Sequence, residues 1–256
     1  MSIAGWFSTV HVLVALGAVV FFALLVRIKS GFGFSIIVLP IASLLIGFDE
    51  AVRLSIALEV VIGAVCVVRM AHLVRWRDAI TLKLAALFGV AVAQWSSTWL
   101  SPAAIVVPAM SILTIYCVLQ LVRRQESSLL SLNVASCWGA GSVSGFLGYW
   151  TSLSGPPVVL LYARSALSDI EIVAALNGYF LLTYCAAFAL SYVSGAYAGF
   201  SLWWFVSIAG VGVILLYAPL ERLLCGVRLN IRRFAIAMAL IAGLAVLAQS
   251  LLPQFR

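Results

Sequence analysis

Acidic side chains are scarce in this chain: eight Asp and Glu stand against fifteen Lys and Arg in 256 residues. Only 9% of the residues are charged, against about 25% in an average soluble domain. So few charges cannot clothe a water-soluble surface of this size, so the solvent of the chain is lipid. Histidine is scarcer still. His11 and His72 stand apart with no H-E-x-x-H run, and the nucleophile elbow and the Walker phosphate loop are also missing. The sequence therefore predicts no enzyme, no cofactor and no ATP coupling within the chain. The five cysteines (Cys66, Cys117, Cys137, Cys185 and Cys225) are scattered and form no C-x-x-C pair, as expected of small apolar packing residues. Residues 1 to 26 contain no Lys or Arg. They lack the basic region of a secretory leader, and the first hydrophobic segment is expected to remain as a helix.

What is present is apolar sequence. The chain is 65% hydrophobic, with a mean hydropathy of +1.20. A hydrocarbon layer about 30 Å thick needs roughly 20 apolar residues per helix. The hydrophobic segments read as 10–26, 34–47, 51–68, 80–99, 103–122, 131–148, 156–167, 170–193, 201–220 and 230–251. They are apolar on all faces and too long for barrel strands of about ten residues. The expected fold is an all-α polytopic membrane protein with ten membrane-entering segments. The net charge of +7 sits mostly in three short loops, Arg69 to Lys83, Arg123–Arg124 and Arg222 to Arg233. That is the pattern of cytoplasmic loops rather than of a nucleic-acid surface. With those loops cytoplasmic, ten crossings place both termini on the opposite side. The lipid bilayer is then the main surrounding, and no nucleic-acid partner is expected.

Two segments, 34–47 and 156–167, are short, and both follow a Gly/Ser interruption. The first interruption runs from Arg27 to Ser35 and the second from Tyr149 to Pro157. Sliding the chain by 122 residues superposes them: Gly17 meets Gly139, Ser30 meets Ser152, Gly33 meets Gly155 and Ser43 meets Ser165. This predicts a duplication, residues 1–125 and 126–256, within one membrane domain. Five segments per half would make the two repeats inverted, each with a discontinuous or re-entrant short helix. Interrupted segments at matching places in two halves point to a transporter site near the bilayer midplane.

A half-helix that begins inside the membrane aims unpaired N–H groups and a positive dipole end at the break. Such an end attracts anions. Ser152 and Ser154 are candidate N-caps, and Pro156–Pro157 suits a first helical turn. Gly31, Gly33 and Gly155 let the backbone turn and approach a ligand. The expected anion site therefore gathers Lys29, Ser30, Gly31, Gly33 and Ser35 from the first break. Trp150, Thr151, Ser152, Ser154 and Gly155 come from the second. The bland alternative makes both breaks ordinary surface loops.

At these two breaks, "GFGFSIIVLP" (31–40) and "GFLGYWTSLSGPPVVLLY" (145–162), the chain resembles the sulfite exporter TauE/SafE family of anion permeases. The resemblance covers essentially the whole chain. It implies a secondary transporter, here an exporter, of a small sulfur-containing anion such as sulfite or an organosulfonate like sulfoacetate. The second break departs from the family's glycine-richer motif, with Gly155 its single glycine and Tyr149 and Trp150 beside it.

Other polar residues within spans have two readings each. Lys29 is either an anion partner or a lysine reaching for the interface; Arg27 reads as a topological charge. Glu59, alone in "SIALEVVIGAV", either carries a coupling proton or pairs with Lys29 or Arg53. Asn177 and its offset partner Ser55 are either secondary ligands or interhelical glue. Arg164 is expected to join Asp169 and Glu171 in an interfacial salt-bridge cluster. Gln94 and Trp95 read as interface residues, and Trp203 and Trp204 as an aromatic belt. A carboxylate or divalent-metal permease and a non-transporting membrane subunit are the competing functions. A metal site is disfavoured because the breaks hold no His, Cys or carboxylate. A small anionic substrate is the expected partner, with homo-oligomerisation left open.

Overall fold

Without water to bond, a backbone must satisfy its own N–H and C=O groups, and an apolar run does so as a helix. A computed structural model of the chain describes residues 3–99, 131–151 and 154–224, with scattered positions within 111–118 and 226–244. Every regular element among the described residues is helical. In chain order these are α1 (Ile3–Ser30), α2 (Phe34–Ile46), α3 (Phe48–Met70), α4 (Trp76–Ser96), α5 (Val134–Thr151), α6 (Gly155–Ala163), α7 (Asp169–Val193) and α8 (Trp203–Leu224). Each matches one of the expected segments. The other two, 103–122 and 230–251, lie largely outside the described residues. Among the described residues, five helices are long and apolar enough to cross a membrane: His11–Ser30 of α1, α3, α4, α7 and α8. The chain is an integral membrane protein.

The two short helices fall where the sequence placed them, but the interruptions are narrower than expected. Arg27, Lys29 and Ser30 are still helical, and the first break is only residues 31 to 33. Tyr149, Trp150 and Thr151 likewise belong to the last turn of α5. Apolar neighbours and intact i→i−4 bonding carry a helix past a charge; glycine in a left-handed conformation ends it. Gly31 and Gly33 have φ of 78° and 91°, a region closed to most L-residues. At 13 and 9 residues, α2 and α6 are about 20 and 14 Å long, well short of a bilayer. The shift of 122 residues carries the start of α2 to Pro156, next to the start of α6, and the start of α3 to Ile170, next to that of α7.

The chain divides into two compact units. The first comprises Met1–His72 and Phe180–Arg228, so it holds α1, α2, α3, the later part of α7 and α8. Within it α1 packs on α2 and α8, and α3 on α2 and α8. Leu16, Val20, Leu24, Phe34, Val38, Leu54, Leu58 and Ile62 form its core. The uncharged connection after α7 folds onto an aromatic group. The ring of Tyr197 lies 5.1 Å from that of Phe188 and 5.2 Å from that of Trp203. Its hydroxyl donates to the Arg53 carbonyl at 2.9 Å, and burial pushes the phenol up to about 12.

The second unit comprises Leu73–Tyr179 and Leu229–Arg256. Here α4 packs along α5, and α5 on α6. The α4–α5 crossing is backbone against backbone. A Cβ on Gly145 would strike the Ala86 carbonyl, and one on Gly89 the Ser142 carbonyl. Gly141 and Gly145 form a G-x-x-x-G step facing the small-residue stripe Ala85, Ala86, Gly89 and Ala93, the way helices approach closely in lipid. The reading of the sequence had passed over this motif. Large apolar side chains on α4, among them Leu84, Leu87, Phe88 and Trp95, stay exposed, as befits a surface solvated by lipid. Trp203 and Trp204 are exposed as well. The α7 start has the Glu half of a capping box. The Ser168 backbone N–H and hydroxyl both donate to Glu171, at 2.8 and 2.6 Å. The Glu171 carboxylate, expected in a salt-bridge cluster, is thus engaged in ending the loop.

Candidate functional site

The first break brings together five polar side chains of the first unit. Arg27, on the last turn of α1, is fully buried, and Glu59, in the middle of α3, is 2% exposed. Arg27 Nη2 and Glu59 Oε2 face each other at 3.4 Å. Arg27 Nη1 donates across the break to the Gly31 carbonyl, and the guanidinium carbon lies 5.3 Å from the centre of the Phe180 ring. Ser35, in the first turn of α2, donates to Glu59 Oε1 at 3.0 Å. Ser55 donates to Ser35 at 3.1 Å, and Tyr184 of α7 is 2.8 Å from the same hydroxyl. Ser35 has one proton, and it goes to the carboxylate. Its oxygen therefore accepts from both Ser55 and Tyr184.

This cluster corrects the expected pairing of Glu59. Its cation is Arg27, which sequence reading took for a topological charge, and not Lys29 or Arg53. Lys29 Nζ donates to the Leu224 carbonyl at 3.0 Å, neutralising the negative end of α8. Arg53 pairs with Glu50 at 2.9 Å, one turn away on α3. Arg27 precedes Gly31 by one helical turn, which aims its side chain across the break. That spacing was visible in the sequence. Nothing in the sequence pointed to Tyr184.

The pair is imperfectly satisfied. Arg27 Nε and Nη2 and Glu59 Oε2 are buried without a hydrogen-bond partner. The 3.4 Å contact is an ion pair whose geometry falls outside hydrogen bonding. Nε and Nη2 point from the same edge of the planar guanidinium, the edge that grips an oxyanion with two parallel bonds. Two residues beyond Gly31, which Arg27 Nη1 holds, α2 starts from Gly33 as its N-cap, with no side-chain cap. Its leading N–H groups are those a helix cannot satisfy internally. Ser30 is turned inward. Its hydroxyl lies 2.7 Å from the Val26 carbonyl and 2.8 Å from that of Phe32, tying the two sides of the break.

In the second unit, Ser154 occupies the N-cap position of α6, yet its side chain makes no capping bond, and a proline follows within the first two helical positions. The Ser144 hydroxyl bonds the Ser154 carbonyl and lies 2.8 Å from the Tyr179 hydroxyl. Asn177 is buried on α7, donates to the Val173 carbonyl at 3.0 Å, and leaves Oδ1 without a partner. The Tyr162 hydroxyl is likewise buried and unpartnered. Gly155 opens α6, and Trp150 and Thr151 close α5. Ser152 lies outside the described residues. Ser144 and Tyr179 escaped sequence reading because a single Ser or Tyr in an apolar helix has no distinguishing pattern.

An uncapped helix start and a buried arginine each carry positive charge or partial charge, the property that attracts anions. A family model described as "Sulfite exporter TauE/SafE" matches residues 16–247. The chain belongs to this family. The TauE/SafE match takes in both breaks and all eight described helices except the first part of α1. It makes the protein a membrane transporter and not an enzyme. Comparison with curated proteins and with solved structures found no match.

Proposed function

We propose that this TauE/SafE-family protein is a secondary exporter of a small sulfur-containing anion, sulfite or an organosulfonate. The observation that carries the reading is the uncapped start of α2 together with the unfilled Nε–Nη2 edge of Arg27. The N–H groups at the α2 start and the Arg27 fork would grip the oxyanion, with Gly31 and Gly33 allowing close approach and Ser35 and Ser55 setting its limits. Lys29, seated on the Leu224 carbonyl, stays outside that grip. The second break, Trp150 to Gly155, is proposed as a further anion-contacting element on the strength of its own helix start. The Ser154 hydroxyl, which makes no capping bond, and the unpartnered Asn177 Oδ1 would be the polar groups of that element. The family description and the family-wide match support a sulfur oxyanion over a carboxylate or a metal ion. With the basic loops cytoplasmic, the protein would lie in a bacterial inner membrane with both termini outside the cytoplasm.

The test is a thermal-shift panel on purified protein with sulfite, sulfate, thiosulfate, sulfoacetate, carboxylates and divalent metals. A ligand at 100 times its Kd adds about 2.7 kcal/mol to the folded state. Stabilisation by a sulfur oxyanion, lost in Gly33→Leu or Gly155→Leu protein that still inserts in the membrane, is the expected result. Stabilisation by a metal ion alone would overturn the proposal.

A further inference from the structure

Lys29, beside the first break, is seated on the Leu224 carbonyl, whereas the Arg27–Glu59 pair meets only at 3.4 Å. Both groups are buried, yet three of their polar atoms lack hydrogen bonds. Glu59 sits on Arg27 without filling the fork. We infer that Glu59 is an internal stand-in for the substrate: a sulfonate or sulfite takes its place on Arg27, Glu59 leaves as the neutral acid, and each anion therefore binds together with one proton. This rests on the transporter reading above and adds the coupling ion to it.

The chemistry follows from charge conservation in a buried site. Arg27 is always protonated and needs one negative partner. With Glu59 in place the pair is neutral. An incoming anion would leave two negative groups against one cation, in a place where an unpaired charge is not tolerated. The carboxylate resolves this by taking up a proton from the aqueous phase that delivers the anion. Oε2 is the oxygen that receives it, because Oε1 is already held by Ser35. The Ser35 hydroxyl keeps the neutral acid in position, and Tyr184 and Ser55 hold Ser35 in turn.

The other titratable groups near the pair do not compete for this role. From α2 only the Ser35 hydroxyl reaches Glu59, and α7 adds Tyr184 and the Phe180 ring. On α3 itself, Cys66 lies within the field of both Arg27 and Glu59 and is hydrogen-bonded to Tyr217 of α8, with Glu221 further along. Glu59 is the carboxylate in direct contact with Arg27.

The experiment is proton uptake on ligand binding. Methanesulfonate is the probe, because its single sulfonate charge persists at every pH used and equals the one charge that Glu59 gives up. Purified protein in weakly buffered detergent is mixed with it and a pH indicator is read. Wild type is expected to take up one proton per bound anion. Its affinity should then fall as pH rises, by about tenfold per pH unit wherever one proton is taken up per bound anion. Glu59→Gln is expected to bind methanesulfonate with no proton uptake and no such pH dependence, and Arg27→Gln to lose binding. Wild-type binding without proton uptake overturns this inference and leaves the transporter reading standing. The same uptake in Glu59→Gln also overturns it. Failure of methanesulfonate and every other sulfur oxyanion to bind wild type overturns both. The wild-type measurement decides the matter even where a variant does not fold.

Discussion

Removing both members of the Arg27–Glu59 pair should cost far less than the two single removals together. Arg27→Met leaves Glu59 buried and uncompensated, and Glu59→Leu does the same to Arg27. Breaking a buried pair in this way costs about 3–5 kcal/mol, whereas replacing both partners by apolar groups of similar volume is often close to neutral. The structure sets what the double variant still loses. The bond from Arg27 Nη1 to the Gly31 carbonyl goes, worth about 0.5–1.5 kcal/mol, as does the contact with the Phe180 ring, worth about 0.5–2 kcal/mol. Ser35 also loses its carboxylate acceptor but can turn its proton to the Tyr184 oxygen, so the double variant should lie about 1–3.5 kcal/mol below wild type, well short of the summed cost of the two single variants. Unfolding by denaturing detergent in mixed micelles, followed by tryptophan fluorescence, gives the four stabilities of the cycle. Additive losses, with the double variant below both singles, would refute the coupling and with it the reading of a paired, half-satisfied site.

Three further outcomes follow from local geometry. Gly33→Ala forces a Cβ into a φ of 91° and should destabilise the α2 start by about 1–2 kcal/mol in the same unfolding assay. Gly145→Ala pushes α5 off the Ala86 carbonyl and should cost about 1–3 kcal/mol or more, whereas Gly139→Ala, which meets open space, should cost little. Tyr197, its phenol pushed up to about 12, should keep its bond to the Arg53 carbonyl at neutral pH. Because its folded value lies above the ordinary 10, its contribution to stability is complete below pH 10. That contribution is lost as pH rises toward about 12. The ultraviolet difference between wild type and Tyr197→Phe should show an ionisation in that window, and an ionisation at the ordinary value would contradict the burial.

The lipid solvent, the helical class and the existence of the two breaks were legible from the chain alone, though not their extent, since α1 runs on to Ser30 and α5 to Thr151. Composition settles the solvent, because 9% charge leaves nothing to clothe a surface in water. The ends of α2 and α6 follow from Gly31, Gly33 and Pro156, residues whose effect is local to their own backbone. The candidate site was legible only in part. Ser35, Ser55 and Glu59 stood out as polar groups in apolar runs, and all three meet. Which cation answers Glu59 was not legible. Lys29 and Arg27 are two residues apart on one helix, and the rotation of α1 against α3 and α8 decides which is turned into the core and which onto Leu224. The close crossing of α4 and α5 was written in Gly141 and Gly145, but its partner stripe on α4 had to be seen to give it meaning. Local chemistry is a property of neighbouring residues, so the sequence determined it. The unfilled edge of Arg27 depends on distances between helices far apart in the chain, and only their packing fixed those.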